Sequence, residues 1–433
     1  AVAGTDLAAL ERVGQLGHLT RLNFGGTKRM TDDGLRHVGR LSRLQELDLS
    51  DYPGGQITDR GLEVLADLRE LRRFQMCWQH GITDVGVAHL RTCDHLESVD
   101  LVGTFTGAGA IAALAAKRRL HRLKTGRDVT DAALPLLHEL PVFKTWHGGA
   151  VKYGLMRADA EPNHLLLDGP FTNRGLATLA GLDGLFGLSF FWHISAVTGA
   201  GLAGLAHLPH LGFLGCEGQL CDDEAMRHIG AIPHLRMLMG QGTIATDQGF
   251  EYLSRSPTLE YIWGRECPNL TGRGFDALAT MPALRGLAVS CKFVDEAALA
   301  ALPRFPALRE LMPMDVQDEG FRHIGQCEAL EGLWCMYCRD TTDVATKHIA
   351  GLTKLKTYYA GQTKITDRSL EILSRMPSLE SLEFWNCPGI TDAGVALLSA
   401  LPALREISVD GCGQVTADAL APFPARVRAR HSV

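Results

Sequence analysis

One phrase recurs along almost the whole chain, and this repeat constrains the fold more than any other feature of the sequence. Its period is about 23 to 27 residues, and its clearest copy runs from Ile390 to Cys412. A Thr391-Asp392 pair opens the phrase, apolar residues follow at helical spacing, and Ile407 and Val409 then alternate with polar residues. Each copy therefore predicts one helix followed by one strand.

The Thr-Asp opening recurs far beyond this copy. Further units open at Thr31-Asp32, Thr58-Asp59, Thr83-Asp84, Thr130-Asp131, Thr246-Asp247, Thr342-Asp343 and Thr366-Asp367. Units of this length cannot bury an apolar face alone, so they stack against their neighbours. We therefore expect a single α/β solenoid domain over residues 1–433, with parallel strands, about 16 to 17 in all, on its concave side and helices on its convex side.

Charge and cysteine content limit the partners that we expect. A net charge of -6 gives no bias towards nucleic acid or anionic membranes. No apolar run approaches the roughly 20 residues of a membrane span, and no signal peptide is visible. Eleven cysteines are an odd number, which argues against a disulfide framework. We expect a cytoplasmic protein with reduced cysteines and without a metal, a cofactor, nucleic acid or a membrane as partner.

Four cysteines have a structural explanation in the repeat. Cys267, Cys338, Cys387 and Cys412 follow strands at a position that other repeats fill with threonine. Small side chains with a weak donor suit an inward turn, where backbone groups need hydrogen-bond partners. We therefore expect these thiols to serve the fold.

The repeat is interrupted near residue 145 and again at the carboxyl end. A strand is expected at 143–147, and residues 149–164 then show neither an amphipathic helix nor a Thr-Asp opening. A loop that replaces a helix is either functional or a tolerated insertion, and both interpretations stay open. Residues 413–433 are expected to form a terminal cap and a basic tail.

The unit seen at Ile57 to Cys77, Ile365 to Phe384 and Ile390 to Cys412 resembles a known class of repeats. It is similar to the cysteine-containing leucine-rich repeats of F-box proteins and to the Thr-Asp-rich leucine-rich repeats of many bacterial proteins. The resemblance implies a right-handed α/β horseshoe that binds proteins or peptides. The sequence contains no F-box, so a ubiquitin-ligase role is not implied. The Ala-, Gly- and Arg-rich composition is typical of a bacterial source.

Alternation along the strands predicts an apolar surface on the concave side. The residue between the two core positions points to that side, and from Met239 to Tyr359 this position is apolar or aromatic. A large apolar concavity usually marks a binding site. The predicted ligand-binding residues are Phe191, Trp192, Phe213, Met237, Met239, Tyr261, Trp263, Met312, Met314, Trp334, Met336, Tyr337, Tyr359 and Trp385.

An inward orientation of the same side chains is the alternative. The second core position of these strands is small at Cys216, Gly240, Gly264, Pro313, Cys335 and Ala360. A local bulge could then turn a tryptophan or a methionine inward to fill the core.

Several polar residues near the apolar surface are candidates for acid–base chemistry. Glu217, Glu266 and Asp315 each follow a strand, and a carboxylate beside aromatic walls would have a raised pKa. His147 and His193 are further candidates, although an isolated histidine such as His147 is more often a surface residue and His193 fits better a bond to a backbone carbonyl.

Three functions fit this pattern. The first is a recognition protein that binds a peptide, a protein segment or an apolar or aromatic ligand in an aromatic trough, with 149–164 as one wall or a lid. The second is an enzyme that acts on a small hydrophobic or aromatic substrate in that trough through the carboxylate and histidine candidates. The third is self-association through the apolar face. An aromatic cage for a cation is a variant of the second.

Overall fold

The computed structural model describes residues 7–26, 30–51, 55–155, 162–192 and 194–432. The chain forms two compact units. Unit 1 comprises Ala1–Val151, Ala160–Leu220 and Ile232–Leu235, and unit 2 comprises Lys152–Asp159, Cys221–Ala231 and Arg236–Val433. Within each unit, parallel strands alternate with short helical segments, as the repeat predicts.

Unit 1 contains eight strands within the part of the chain that is described. They are β1 (Arg21–Asn23), β2 (Glu46–Asp48), β3 (Arg73–Gln75), β4 (Ser98–Asp100), β5 (Arg122–Lys124), β6 (His164–Leu167), β7 (Gly187–Phe190) and β8 (Phe213–Gly215). The α-helices are α1 (Leu7–Gly14), α2 (Asp32–Val38), α3 (Asp84–Val87), α4 (Ala108–Ala113) and α5 (Asn173–Leu176). The 3₁₀ helices are Gly61–Asp67, Ala88–Thr92, Leu134–Glu139, Pro141–Phe143, Ala177–Leu179, Gly199–His207 and Gly218–Leu220.

Unit 2 contains nine strands among its described residues. They are β9 (Met237–Met239), β10 (Tyr261–Gly264), β11 (Gly286–Ser290), β12 (Glu310–Met314), β13 (Gly332–Cys335), β14 (Thr357–Gly361), β15 (Ser381–Trp385), β16 (Glu406–Asp410) and β17 (Arg428–Ser432). The α-helices are α6 (Asp223–Ile229), α7 (Asp247–Leu253), α8 (Gly272–Leu278), α9 (Glu296–Leu299), α10 (Gly320–Ile324), α11 (Asp343–Ile349), α12 (Asp367–Leu373) and α13 (Asp392–Leu397). The 3₁₀ helices are Leu302–Arg304, Leu398–Ala400 and Ala417–Leu420.

The leucine positions of the repeat form the core of each unit. In the repeat that ends at β3, the buried residues are Ile57, Leu62, Leu65, Leu68, Leu71 and Phe74, none more than 1% exposed. Parallel pairing aligns Leu47 with Phe74 and Phe74 with Val99. The core positions of successive repeats therefore lie next to each other, and each repeat covers the apolar side of its neighbour.

The Thr-Asp pairs link successive repeats through hydrogen bonds. Thr366 caps α12, and its hydroxyl accepts a hydrogen bond from the N–H of Arg368. The same threonine is held by Asp343 of the preceding repeat: Oδ1 accepts from its N–H at 2.8 Å and Oδ2 from its hydroxyl at 2.7 Å. The same pair of bonds joins Asp32 to Thr58 and Asp392 to Thr416. The motif thus connects repeats as well as starting helices.

The strand expected at 143–147 is wrong. Pro141–Phe143 is a 3₁₀ helix, and the position beside β5 is taken by β6, where the N–H of His164 donates to the carbonyl of His121 at 2.8 Å. The carbonyl of Phe143, the first residue of the expected strand, accepts a hydrogen bond from the N–H of Gly184 at 2.8 Å. Among the described residues of 125–155 and 162–163, no strand lies between β5 and β6.

The basic carboxyl end also differs from the expectation of a tail. Arg428–Ser432 is strand β17, which pairs in parallel with β16 and aligns Ala429 with Ile407. The carboxyl-terminal strand therefore extends the sheet of unit 2 by one further strand.

Candidate functional site

The sheet of unit 2 has one face opposite its leucine core, which we call the open face. Parallel pairing in register places one residue of each strand in a row on this face, because side chains alternate along a strand. The row consists of Met239, Trp263, Ala288, Met312, Trp334, Tyr359 and Glu383. The apolar column read from the sequence thus runs from Met239 to Tyr359, and the row continues through Glu383 and Ser408 to Arg430.

Two glycines show how aromatic rings lie on the open face. A Cβ atom on Gly332 would be 2.5 Å from the indole of Trp334, so this ring covers the backbone of its own strand. Tyr261 covers Gly286 of the neighbouring strand in the same way. Trp334 therefore lies on the side of β13 opposite the buried Leu333, and the inward alternative does not describe it.

Several of the predicted apolar residues are closed off from solvent. Met237, Tyr261, Met312, Met314 and Tyr359 are buried, whereas Met239, Trp263 and Trp334 are half-buried. Met336 and Trp385, just past or at the ends of their strands, are half-buried as well. The accessible part of the apolar surface is therefore narrower than the sequence predicts.

A cavity of about 620 Å³ opens on this face of unit 2. Trp334 and Tyr359 supply its aromatic surface, and Tyr153 and Gly154 of the 149–164 insertion also line it. The other lining residues are Glu310, Glu331, Gly332, Lys356, Thr357, Tyr358, Glu380, Ser381, Glu383, Arg405 and Glu406. Glu266 and Asp315, two of the acid–base candidates, are not among them.

Most of the carboxylates around the cavity have partners. Glu331 contacts the Lys356 ammonium at 2.6 Å, and this hydrogen bond raises the pKa of Lys356. Glu380 lies 3.5 Å from Arg405, and Glu406 lies 3.8 Å from Arg428. In total, the lining of the cavity contains five carboxylates and two cationic side chains, so its net charge is negative.

Glu383 differs from these carboxylates. It forms no ion pair with any of the described residues, and its side chain is accessible to solvent. Partial desolvation, together with the negative charges of Asp410 and Glu406, raises its pKa. A positive charge close to this carboxylate would stabilise its ionised form.

The segment 153–155 is fixed to the open face by specific contacts. The N–H of Leu155 donates to Oε2 of Glu310 at 2.5 Å, and the Leu155 side chain is only 1% exposed. The Tyr153 ring lies 6.3 Å from the Tyr261 ring, and the Arg236 guanidinium lies over it at 5.7 Å. Burial raises the pKa of Tyr261 to about 12, so this phenol remains protonated at neutral pH.

The predicted carboxylates of unit 2 occupy turns at the ends of strands. Glu266 and Asp315 are exposed and have left-handed backbones, with φ of 60° and 66°. Tyr337 occupies the equivalent turn with φ of 58°, where the Arg265 guanidinium lies 4.8 Å from its ring and donates to its hydroxyl. Glycine holds this conformation at Gly242 and Gly411, so the turn is a recurring feature of the fold.

The predicted site residues of unit 1 lie in different surroundings. Phe213 is buried, with its ring 5.4 Å from His164. Phe191 lies 5.8 Å from Trp192, which is 64% exposed. Glu217 is half-buried, and burial raises its pKa. His193 lies outside the described residues.

His147 is exposed between β5 and β6 of unit 1. It lines a cavity of about 990 Å³ together with Trp146, whose ring stacks on Phe186 at 4.8 Å. Arg118 and Arg119 are exposed and belong to the same lining. This cavity was not foreseen from the sequence, because its lining residues come from separate segments between Glu97 and Asn163.

The ladder cysteines have the predicted structural role. The Cys338 thiol donates to the carbonyl of Pro313 at 2.9 Å, and the Cys387 thiol donates to the carbonyl of Ala360 at 3.3 Å. Burial raises the pKa of Cys338 to about 12, so the thiol form persists. Among the described residues, no group of three or more His, Cys, Asp and Glu side chains could hold a metal ion. No helix in the described ranges is long and apolar enough to cross a membrane.

Comparisons with known proteins support the fold. No family model matches the sequence, and no curated protein matches it. Among solved structures, the chain is similar to the TLR13–ssRNA13 complex with a TM-score of 0.54 and 13% identity, over 96% of this chain and 63% of that chain. The chain therefore has the fold of an α/β leucine-rich-repeat solenoid, as the period and strand pairing also indicate.

Two further structures match over nearly the whole chain with lower TM-scores. The Rad7 and Elc1 complex in yeast gives 0.44 at 15% identity, over 98% of this chain and 88% of that chain. An internalin, inlF, from Listeria monocytogenes gives 0.31 at 15% identity, over 98% of this chain and 93% of that chain. One of the three similar structures is a complex with ssRNA13. The expectation that nucleic acid is not a partner of this chain stays a prediction.

Proposed function

We propose that this chain is a recognition protein that binds a peptide segment of a partner protein on the open face of unit 2. The observation that carries the proposal is the cavity of about 620 Å³ bounded by Trp334, Tyr359 and the fixed Tyr153 segment. Rigid aromatic side chains give a large contact area at a small cost in conformational entropy, and they commonly dominate binding energy.

The lining of the cavity suits a peptide. Its aromatic surface is bordered by charged and hydroxyl side chains from the first residues of the strands, including Glu310, Thr357 and Ser381. An apolar centre with a polar rim is the usual anatomy of a protein interface. The cavity volume fits a few side chains, which matches an anchor segment.

The test is selection of binding peptides from a random display library on the purified full chain, followed by measurement of Kd with labelled synthetic peptides. Trp334→Ala should weaken binding by at least about tenfold, since a central aromatic anchor contributes about 2 kcal/mol or more. Trp192→Ala is the matched control, because Trp192 is exposed in unit 1. Equal loss in both variants, or failure of the library to yield any binding peptide, would overturn the proposal. Circular dichroism checks that each variant is folded.

A further inference from the structure

In the cavity of unit 2, aromatic side chains and a carboxylate lie next to each other on the same face of the sheet. Trp334, Tyr359 and Glu383 are paired residues of three successive strands, so their Cα atoms follow each other at roughly 4.8 Å. Two aromatic side chains and one carboxylate therefore lie on one face within the reach of a single bound group. The tip of the Trp334 indole lies against Gly332, and the half-buried Trp334 lines the cavity, whereas Tyr359 is only 8% exposed.

The charge balance of the lining favours a cation. Five glutamates and two cationic side chains line the cavity, and the cations already pair with Glu331 and Glu380. Glu310 is occupied by the N–H of Leu155. Glu383 is the accessible carboxylate beside the aromatic row, and a purely apolar ligand would cover it without offering a partner, which is costly.

We propose that the peptide bound in this cavity presents an arginine side chain, whose guanidinium stacks on Trp334 beside Tyr359 and pairs with Glu383. The inference rests on the peptide-binding function proposed above and adds the chemistry of the anchor. A guanidinium is planar, stacks on aromatic rings and can donate two parallel hydrogen bonds to one carboxylate. An ammonium is a compact, strongly hydrated point charge without this flat surface.

The experiment uses the peptides that the display selection yields on the full chain. Arginine should be enriched at one fixed position, and its replacement by citrulline, a neutral side chain of the same shape, should weaken binding by at least about tenfold. Glu383→Gln should weaken binding of the arginine peptide by a similar factor. The affinity of the citrulline peptide should change little. Glu328→Gln, which makes the same charge change at an exposed loop, is the control and should bind like the wild type.

The failures of the two proposals are distinguishable. Peptides that depend on Trp334 but show no preference for arginine over citrulline would refute the arginine anchor and leave peptide recognition intact. If Glu383→Gln and Glu328→Gln bind the arginine peptide with equal affinity, the arginine anchor is refuted in the same way and peptide recognition remains intact. A library that yields no binding peptide of any composition would refute both proposals.

Discussion

Replacement of Asp343 by alanine should destabilise the protein by about 2–3 kcal/mol. The carboxylate accepts three hydrogen bonds from the following repeat: the N–H and hydroxyl of Thr366 at 2.8 and 2.7 Å, and the hydroxyl of Ser369 at 2.6 Å. Each bond contributes about 1 kcal/mol net, and its loss leaves polar groups at a partly buried junction without an acceptor. These bonds also hold the pKa of Asp343 below its usual value against the opposing effect of burial.

Asparagine at the same position should cost less, about 1 kcal/mol or below. The chain already contains this variant of the link. Asn173 accepts the N–H of Thr198 through Oδ1 at 2.9 Å, and its Nδ2 donates to the Thr198 hydroxyl at 2.9 Å. An amide therefore keeps the connection by reversing the direction of one hydrogen bond.

The assay is urea unfolding followed by circular dichroism, with the free energy of unfolding compared among variants of equal m-value. Asp340→Ala is the control, because Asp340 makes a surface ion pair with Lys364 and such pairs contribute little. The reasoning is refuted if Asp343→Ala is no less stable than Asp340→Ala, or if asparagine is as damaging as alanine.

Three further predictions concern the turn, the aromatic row and acid stability. Glu266→Gly should stabilise the protein by about 0.5–1 kcal/mol in urea unfolding, because φ is 60° at this exposed residue, whereas Glu266→Ala should not. Gly332→Val should displace the Trp334 indole, seen as a red shift of tryptophan fluorescence, and weaken peptide binding by about tenfold; unchanged fluorescence would contradict the placement of the ring. The Thr172 N–H lowers the pKa of Asp131 below 3.8 in the folded state, so this stabilisation is complete at neutral pH and is lost as the pH falls through the folded pKa. Asp131→Asn should therefore reduce the loss of stability between pH 5 and pH 2, about the range over which a shifted Asp titrates, and an unchanged loss would refute the assignment.

The sequence predicts the repeat and its core because both depend on local periodicity. Leucines at helical and strand spacing can be read directly, and Leu62, Leu65 and Phe74 are buried as this spacing requires. The strand expected at 143–147 fails because strand pairing is a choice between distant segments, and His164 competes better for the edge of β5. Strand β17 (Arg428–Ser432) was not predicted, because its sequence lacks the alternation of apolar and polar residues that indicates a strand.

The candidate site is predicted only in part for the same reason. Alternation places Trp334 and Tyr359 on the open face, and the structure has them there. The bond from Leu155 to Glu310 joins residues 155 positions apart, so no local pattern could indicate it. In the sequence, Glu383 follows an apolar column and resembles an ordinary surface residue. Its position in the lining of a cavity beside Tyr359 is visible only in the structure.

The Thr-Asp links also have a direction. In each link the carboxylate belongs to the earlier repeat, and the hydroxyl and N–H belong to the later one. A repeat that emerges from the ribosome after its neighbour finds the acceptor for its helix start already in place, and co-translational folding can proceed vectorially. When the last repeat of a stack unfolds, the aspartate of the repeat before it becomes exposed to water. When the first repeat unfolds, the threonine at the start of the next helix loses its hydrogen-bond acceptor. The two ends of a stack of repeats therefore expose different groups: a carboxylate at the carboxyl-terminal end, and a hydroxyl and an N–H at the amino-terminal end.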